Sequence, residues 1–175
     1  MNIKLVACEV FFREVSHLAE TSSNTLDISF IPFGLHSTPN QLRERLQQEI
    51  DSANPGTHEY VSLAYGLCSG GTSGLTASAI PVILPKAHDC ITLFLGSRAR
   101  YDDEFSNHPG TYYYTPGWIE RADGEVQQGQ IVELKEQEKA QRFEEYKEKY
   151  GEDNALFLIE QESQWLRNYN RAAFI

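Results

Sequence analysis

Four short apolar runs recur in the first half of the chain: "IKLVAC" from Ile3, "LDISFI" from Leu26, "YVSLA" from Tyr60 and "IPVIL" from Ile80. The first is a continuous apolar run and reads as a buried strand, and the other three, equally short, read as strands as well. Helix-patterned segments separate them. Phe12, Val15, Leu18 and Ala19 share one helical face, and so do Leu42, Leu46 and Ile50. Thr38 and Pro39 precede the second face as a cap and a first helical residue. Strands alternating with helices predict one α/β domain over residues 1–175. Its core is a mainly parallel open sheet with flanking helices, a Rossmann-like or flavodoxin-like three-layer arrangement.

Further along, "GLTASAI" reads as a helix, and Asp89 as the cap of a short helix carrying Ile91, Phe94 and Leu95. "SRARYDDEFSNHPG" continues helically to Pro109-Gly110, and "TYYYTPGWIE" reads as extended with a turn at Pro116-Gly117. A charged helical segment occupies about 131–170, as one helix from Glu133 to Tyr150 and another from Asn154 to Asn168. Leu134, Phe143, Tyr146 and Tyr150 form its apolar stripe, and its charges read as a solvent face. The closing "RAAFI" reads as an edge strand, which needs a helix or a second copy of the chain to cover it.

Composition narrows the function classes. A net charge of -10 argues against a nucleic-acid partner. No apolar run approaches the roughly 20 residues that span a bilayer, and "MNIKLVACEV" lacks a signal-peptide pattern. The expected compartment is the reducing cytoplasm. There, three cysteines without close spacing suit metal binding, catalysis or packing better than a disulfide framework.

The chemistry-bearing residues gather at strand exits. Cys8-Glu9 follows the first run, "FGLH" with His36 the second, "YGLC" with Cys68 the third, and His88-Asp89-Cys90 the fourth. Were the strand order 2-1-3-4, these exits would lie in a row about 4.8 Å apart per strand. The thiols of Cys8, Cys68 and Cys90 would then be close enough to share an ion. Three cysteines with His88 or His36 make a zinc set, and three cysteines suit an iron–sulfur cluster with one open iron. Cysteine is also a common small buried hydrophobe.

Two other readings stand beside this one. Gly66-Leu67-Cys68-Ser69-Gly70 has the G-x-C-x-G spacing of a nucleophile elbow, where a helix N-terminus would activate Cys68. A thiol-dependent transferase or hydrolase would then use His88 or His36 as base and Glu9 or Asp89 as its orienter. Gly70, Gly71, Thr72 and Ser73 could cradle a phosphate with backbone N–H groups, although the Gly-Lys-Ser/Thr ending of a P-loop is absent. A structural turn with positive φ explains the same glycines. Tyr112, Tyr113, Tyr114 and Trp118 either line a flat-ligand pocket or pack onto the core. Arg98 and Arg100 read as solvated or as anion contacts. His17, His58 and His108 lie away from the strand exits and receive no role.

The stretches "ACEV", "FGLHSTP", "YGLC", "HDCITLFLGSR" and "HPGTYYYTPGW" resemble the motifs of domain-of-unknown-function family 1638 (DUF1638). The resemblance implies cysteines recurring at Cys8, Cys68 and Cys90 and histidines at His36 and His88. It further implies a setting in corrinoid-dependent methyl transfer and related one-carbon metabolism. The partners would be corrinoid methyltransferase-system proteins, with a role near a metal cofactor that is catalytic or that of a non-catalytic accessory module. It also leads one to expect further helix and strand beyond "RAAFI".

Overall fold

The computed structural model describes residues 1–122, 139–163 and 165–175. Strands β1 (Asn2–Cys8), β2 (Thr25–Ile31), β3 (Tyr60–Ala64) and β4 (Val82–Ile83) form an all-parallel sheet in the order β2-β1-β3-β4. The expected three-layer α/β arrangement and strand order are therefore present. Helix α1 (Phe12–Thr21) links β1 to β2, and α2 (Pro39–Asp51) links β2 to β3. Beyond β4 come α3 (Cys90–Phe94), α4 (Arg98–Asn107), β5 (Thr111–Tyr114) and α5 (Pro116–Ala122). Helices α6 (139–150) and α7 (Glu152–Ser163) precede β6 (Arg171–Phe174), which pairs in parallel with β5 as a separate small sheet.

Side chains alternate across the central strands, so each strand feeds two cores. Val6 and Leu63 meet Leu42, Leu46 and Ile50 of α2, all at most 1% exposed. On the opposite face Ala7 and Leu5 meet Val15, Phe11, Phe94 and Trp118. Phe11 stacks on Phe94 with ring centroids 4.4 Å apart. Burying a Leu or Ile side chain contributes about 1.5–3 kcal/mol, so the α2 triplet alone anchors that layer. Cys8 touches both cores, because it ends β1 where the two layers meet.

Several local expectations need correction. "GLTASAI" forms no helix. Instead, the Gln47 side chain accepts from Thr76 N and donates to Thr76 O, both at 3.0 Å, so α2 satisfies backbone groups a helix would have used. Pro116-Gly117 opens α5 rather than making a turn, because the buried Thr115 Oγ1 accepts from Trp118 N at 3.1 Å and caps it. Thr38 occupies the cap position of α2 but its hydroxyl donates to Leu35 O instead. Strand β4 is only two residues long.

In the charged segment, the expected helical start at Glu133 and the stripe residue Leu134 lie outside the described residues. Helices α6 and α7 are separated at Gly151, where φ is +82°. Phe143 and Tyr146 are half-buried and Tyr150 is exposed, so the stripe is shallower than expected. The last part of the expected second helix, Trp165–Asn168, is a 3-10 turn. "RAAFI" does form a strand, with Phe174 68% exposed at its end.

Candidate functional site

A cavity of about 210 Å³ lies at the carboxyl edge of the sheet. β1 is flanked by β2 on one side and β3 on the other, so the direction of winding changes between β1 and β3. In open parallel sheets this change opens a crevice, and ligands bind there. Cys8 pairs with Ile31 at the end of β1, and Tyr65 directly follows Ala64 at the end of β3. Both line the cavity, together with Cys68, Cys90, His36 and Trp118.

The three thiols arrive from different layers. Cys68 packs against the α2 core, Cys90 against the opposite core, and Cys8 between them. A tight backbone seam aligns the first two. Leu67 N donates to Ala87 O at 2.8 Å and Cys68 N to His88 O at 3.1 Å. Gly66 permits this approach, since a Cβ there would lie 2.6 Å from Asp89 N. Asp89 then caps α3 by accepting from Thr92 N at 3.0 Å, which fixes Cys90 at the first helical position, as its sequence position suggested.

Burial pushes the Cys8 thiol up to about 11, with the charge of Cys68 opposing its ionisation further. Burial likewise pushes Cys90 up to about 12, followed by the repulsion of Asp89 and of Cys8. Burial raises Cys68 as well, with Asp89 adding to it. The thiols thus interact electrostatically, and all three favour the protonated form unless a cation joins them. Two buried donors face these sulfurs. Tyr65 Oη and Trp118 Nε1 have no fully formed hydrogen bond, yet they lie near enough to Cys8 and Cys90 to ease ionisation of those thiols.

The model of the family "Protein of unknown function (DUF1638)" matches residues 30–175. The chain belongs to this family. No curated protein and no solved structure matches it. In this DUF1638 protein, Cys68, Cys90, His36 and His88 fall inside the matched stretch, and Cys8 precedes it.

The other predicted site residues divide clearly. His36 lines the cavity, with its ring 5.6 Å from Phe33 and 6.1 Å from Trp118. His88 is not among the lining residues, and its ring lies 6.2 Å from that of Tyr101. Glu9 accepts from Phe33 N at 3.1 Å, tying the ends of β1 and β2 together. Among the described residues, no group of three or more His, Cys, Asp or Glu side chains is arranged to hold a metal ion.

The glycine-rich loop is folded on itself. Gly70 N and Thr72 N donate to Leu67 O, Gly71 N to Cys68 O, and Ser73 N to Gly70 O. These donors are spent within the loop rather than fanned toward a phosphate. The elbow's second half is also different from expectation. Cys68 and Ser69 have φ of +46° and +56°, but they lie within a 3-10 turn, Cys68–Gly70, with no α-helix N-terminus at the thiol.

Tyr65 received no role from sequence. Its signal lay in the echo of "FGLH" and "YGLC", which places Phe33 and Tyr65 in the same cavity wall. His108 lies away from the strand exits in sequence, yet it lines a second cavity with Tyr101, Tyr112 and Tyr113.

Proposed function

We propose that this DUF1638 protein binds an iron–sulfur cluster or soft metal ion at the carboxyl edge of its sheet. Cys8, Cys68 and Cys90 are the protein ligands in this reading. The observation that carries it is the convergence of three thiols, from both layers and the sheet end between them, on one cavity. The donor chemistry fits. Sulfur-rich groups are held by cysteine thiolates and tuned by hydrogen bonds to sulfur, and Tyr65 and Trp118 offer two such buried donors.

A cluster suits the site better than a single zinc ion. Zinc–sulfur bonds of about 2.3 Å would draw the three sulfurs tightly together around a single ion. A cluster distributes its cysteines over separate irons, and 210 Å³ is several times the roughly 30 Å³ share of one water. Such a group supplies electron transfer or an open Lewis-acidic iron. His36 at the cavity wall is the side chain placed to complete the ligand set or to move a proton beside it. The corrinoid-linked one-carbon setting implied by the family resemblance is part of the same proposal.

A thiol nucleophile is the second reading, favoured by the positive φ at Cys68. Its raised pKa works against it. Anaerobically purified protein is expected to carry iron and acid-labile sulfide, and Cys8→Ser or Cys90→Ser should lower both and expose Cys68 to alkylation. Protein without bound metal, in which Cys68 alkylates fastest whether or not chelator is present, would reverse the ranking in favour of the nucleophile.

A further inference from the structure

The second cavity, of about 240 Å³, adjoins the thiol cavity through a shared wall of Asp89, Ile91 and Trp118. We propose that it is a binding site for a small organic ammonium ion, held by aromatic rings and the Asp89 carboxylate. This assignment stands independently of what the thiol cavity holds.

Six aromatic side chains line it: Tyr101, Phe105, Tyr112, Tyr113, Trp118 and Tyr169. Tyr101 and Phe105 are nearly parallel, 8° apart at 6.1 Å, whereas Tyr112 and Tyr169 meet at 85° with centroids 5.1 Å apart. Ring planes therefore bound the cleft in more than one direction. Aromatic faces carry negative quadrupole density and attract cations, best of all Trp and Tyr in a partly desolvated site.

The charges point the same way. Asp89 lines the cleft, and no Lys or Arg does so among the described residues. Arg171 donates to the lining Thr111 at 3.4 Å, but Glu104 holds the same nitrogen at 2.7 Å and offsets its charge. An anion would face both the carboxylate and the ring faces. A neutral planar ring would gain no charge attraction from the carboxylate, which already caps α3. The volume equals roughly eight water shares, enough for a quaternary ammonium head and a short tail. The ligand would lie against Trp118 and Asp89, which also line the thiol cavity.

The test titrates the full chain with choline and with its neutral isostere 3,3-dimethylbutan-1-ol, by calorimetry. Choline should bind saturably and the isostere at least about tenfold more weakly, reflecting the cation alone. Asp89→Asn should weaken choline about fivefold. Asparagine caps helices as well as aspartate does, so this variant keeps the start of α3. Tyr112→Leu should cost a similar factor, and circular dichroism reports whether each variant folds. If Tyr112→Leu does not fold, Asp89→Asn alone decides. Equal affinity for the isostere, no saturable choline binding, or Asp89→Asn binding choline as tightly as wild type would each overturn the assignment.

Discussion

Burial holds the cavity thiols in their protonated state, and this has a measurable consequence at the level of single residues. An ordinary thiol ionises at 9.0, whereas Cys8 and Cys90 are pushed up to about 11 and about 12. Below about pH 9 the folded and unfolded chains carry the same thiol protons, so the stability associated with these groups is fully present. As pH rises toward 11–12 the unfolded chain gives up protons that the folded chain keeps, and stability falls. Tyr65, pushed up chiefly by burial, adds in the same direction. The metal-free protein is therefore expected to lose thermal stability progressively above pH 9. A Cys8→Ser, Cys90→Ser double variant should show a flatter alkaline limb. Identical melting profiles for the two proteins from pH 8 to 11 would remove the thiols as the cause. Residue types at strand exits could be read directly from sequence, which is why Cys8, Cys68 and Cys90 were legible. Which histidine joins them was not, because side-chain direction depends on neighbours. His36 and His88 follow their strands in similar ways, yet only His36 lines the cavity.

Among the elements, α5 helps to shape both cavities, since it delivers Trp118 into each. Its first turn presses on the turn after β1, and a Cβ at Gly117 would lie 1.8 Å from Val10 O. Ala is the better helix former by about 1 kcal/mol, but a contact this short forces the helix off its seat, at a cost of about 1–3 kcal/mol or more. The clash wins. Gly117→Ala should lower unfolding free energy by about 2 kcal/mol in urea titration, with a fall in melting temperature of roughly 4–8 °C. A variant within 0.5 kcal/mol of wild type would show that α5 can shift freely. The sequence held the start signal of this helix in Thr115-Pro116, the same pair that marks α2 at Thr38-Pro39. The following glycine made it resemble a turn. Only the contact with Val10 explains why glycine stands inside a helix there.

For the whole molecule, the proposed cluster would couple binding to folding, because Cys8, Cys68 and Cys90 come from both layers and the sheet end. A group bound there at a hundred times its Kd would stabilise the fold by about 2.7 kcal/mol, or roughly 5–10 °C in melting temperature. Anaerobic reconstitution with iron and sulfide is expected to raise the melting temperature by that amount over chelated protein. A Cys8→Ser, Cys68→Ser, Cys90→Ser variant should show no rise, and superimposable melts of loaded and chelated wild type would uncouple the cavity from the fold. Apolar runs and helical spacing in the sequence determined the alternating α/β plan, since strand and helix periods are local properties of the chain. They also placed the thiols at strand ends. The irregular path of "GLTASAI", the seat of the Cys68 loop, the glycine inside α5 and the aromatic second cavity were decided by tertiary structure. Each depends on partners distant in sequence: Gln47 for Thr76, Ala87 and His88 for Leu67 and Cys68, Val10 for Gly117, and Tyr169 for Tyr112. Local periodicity carries no record of such partners, because they come together only when the layers close.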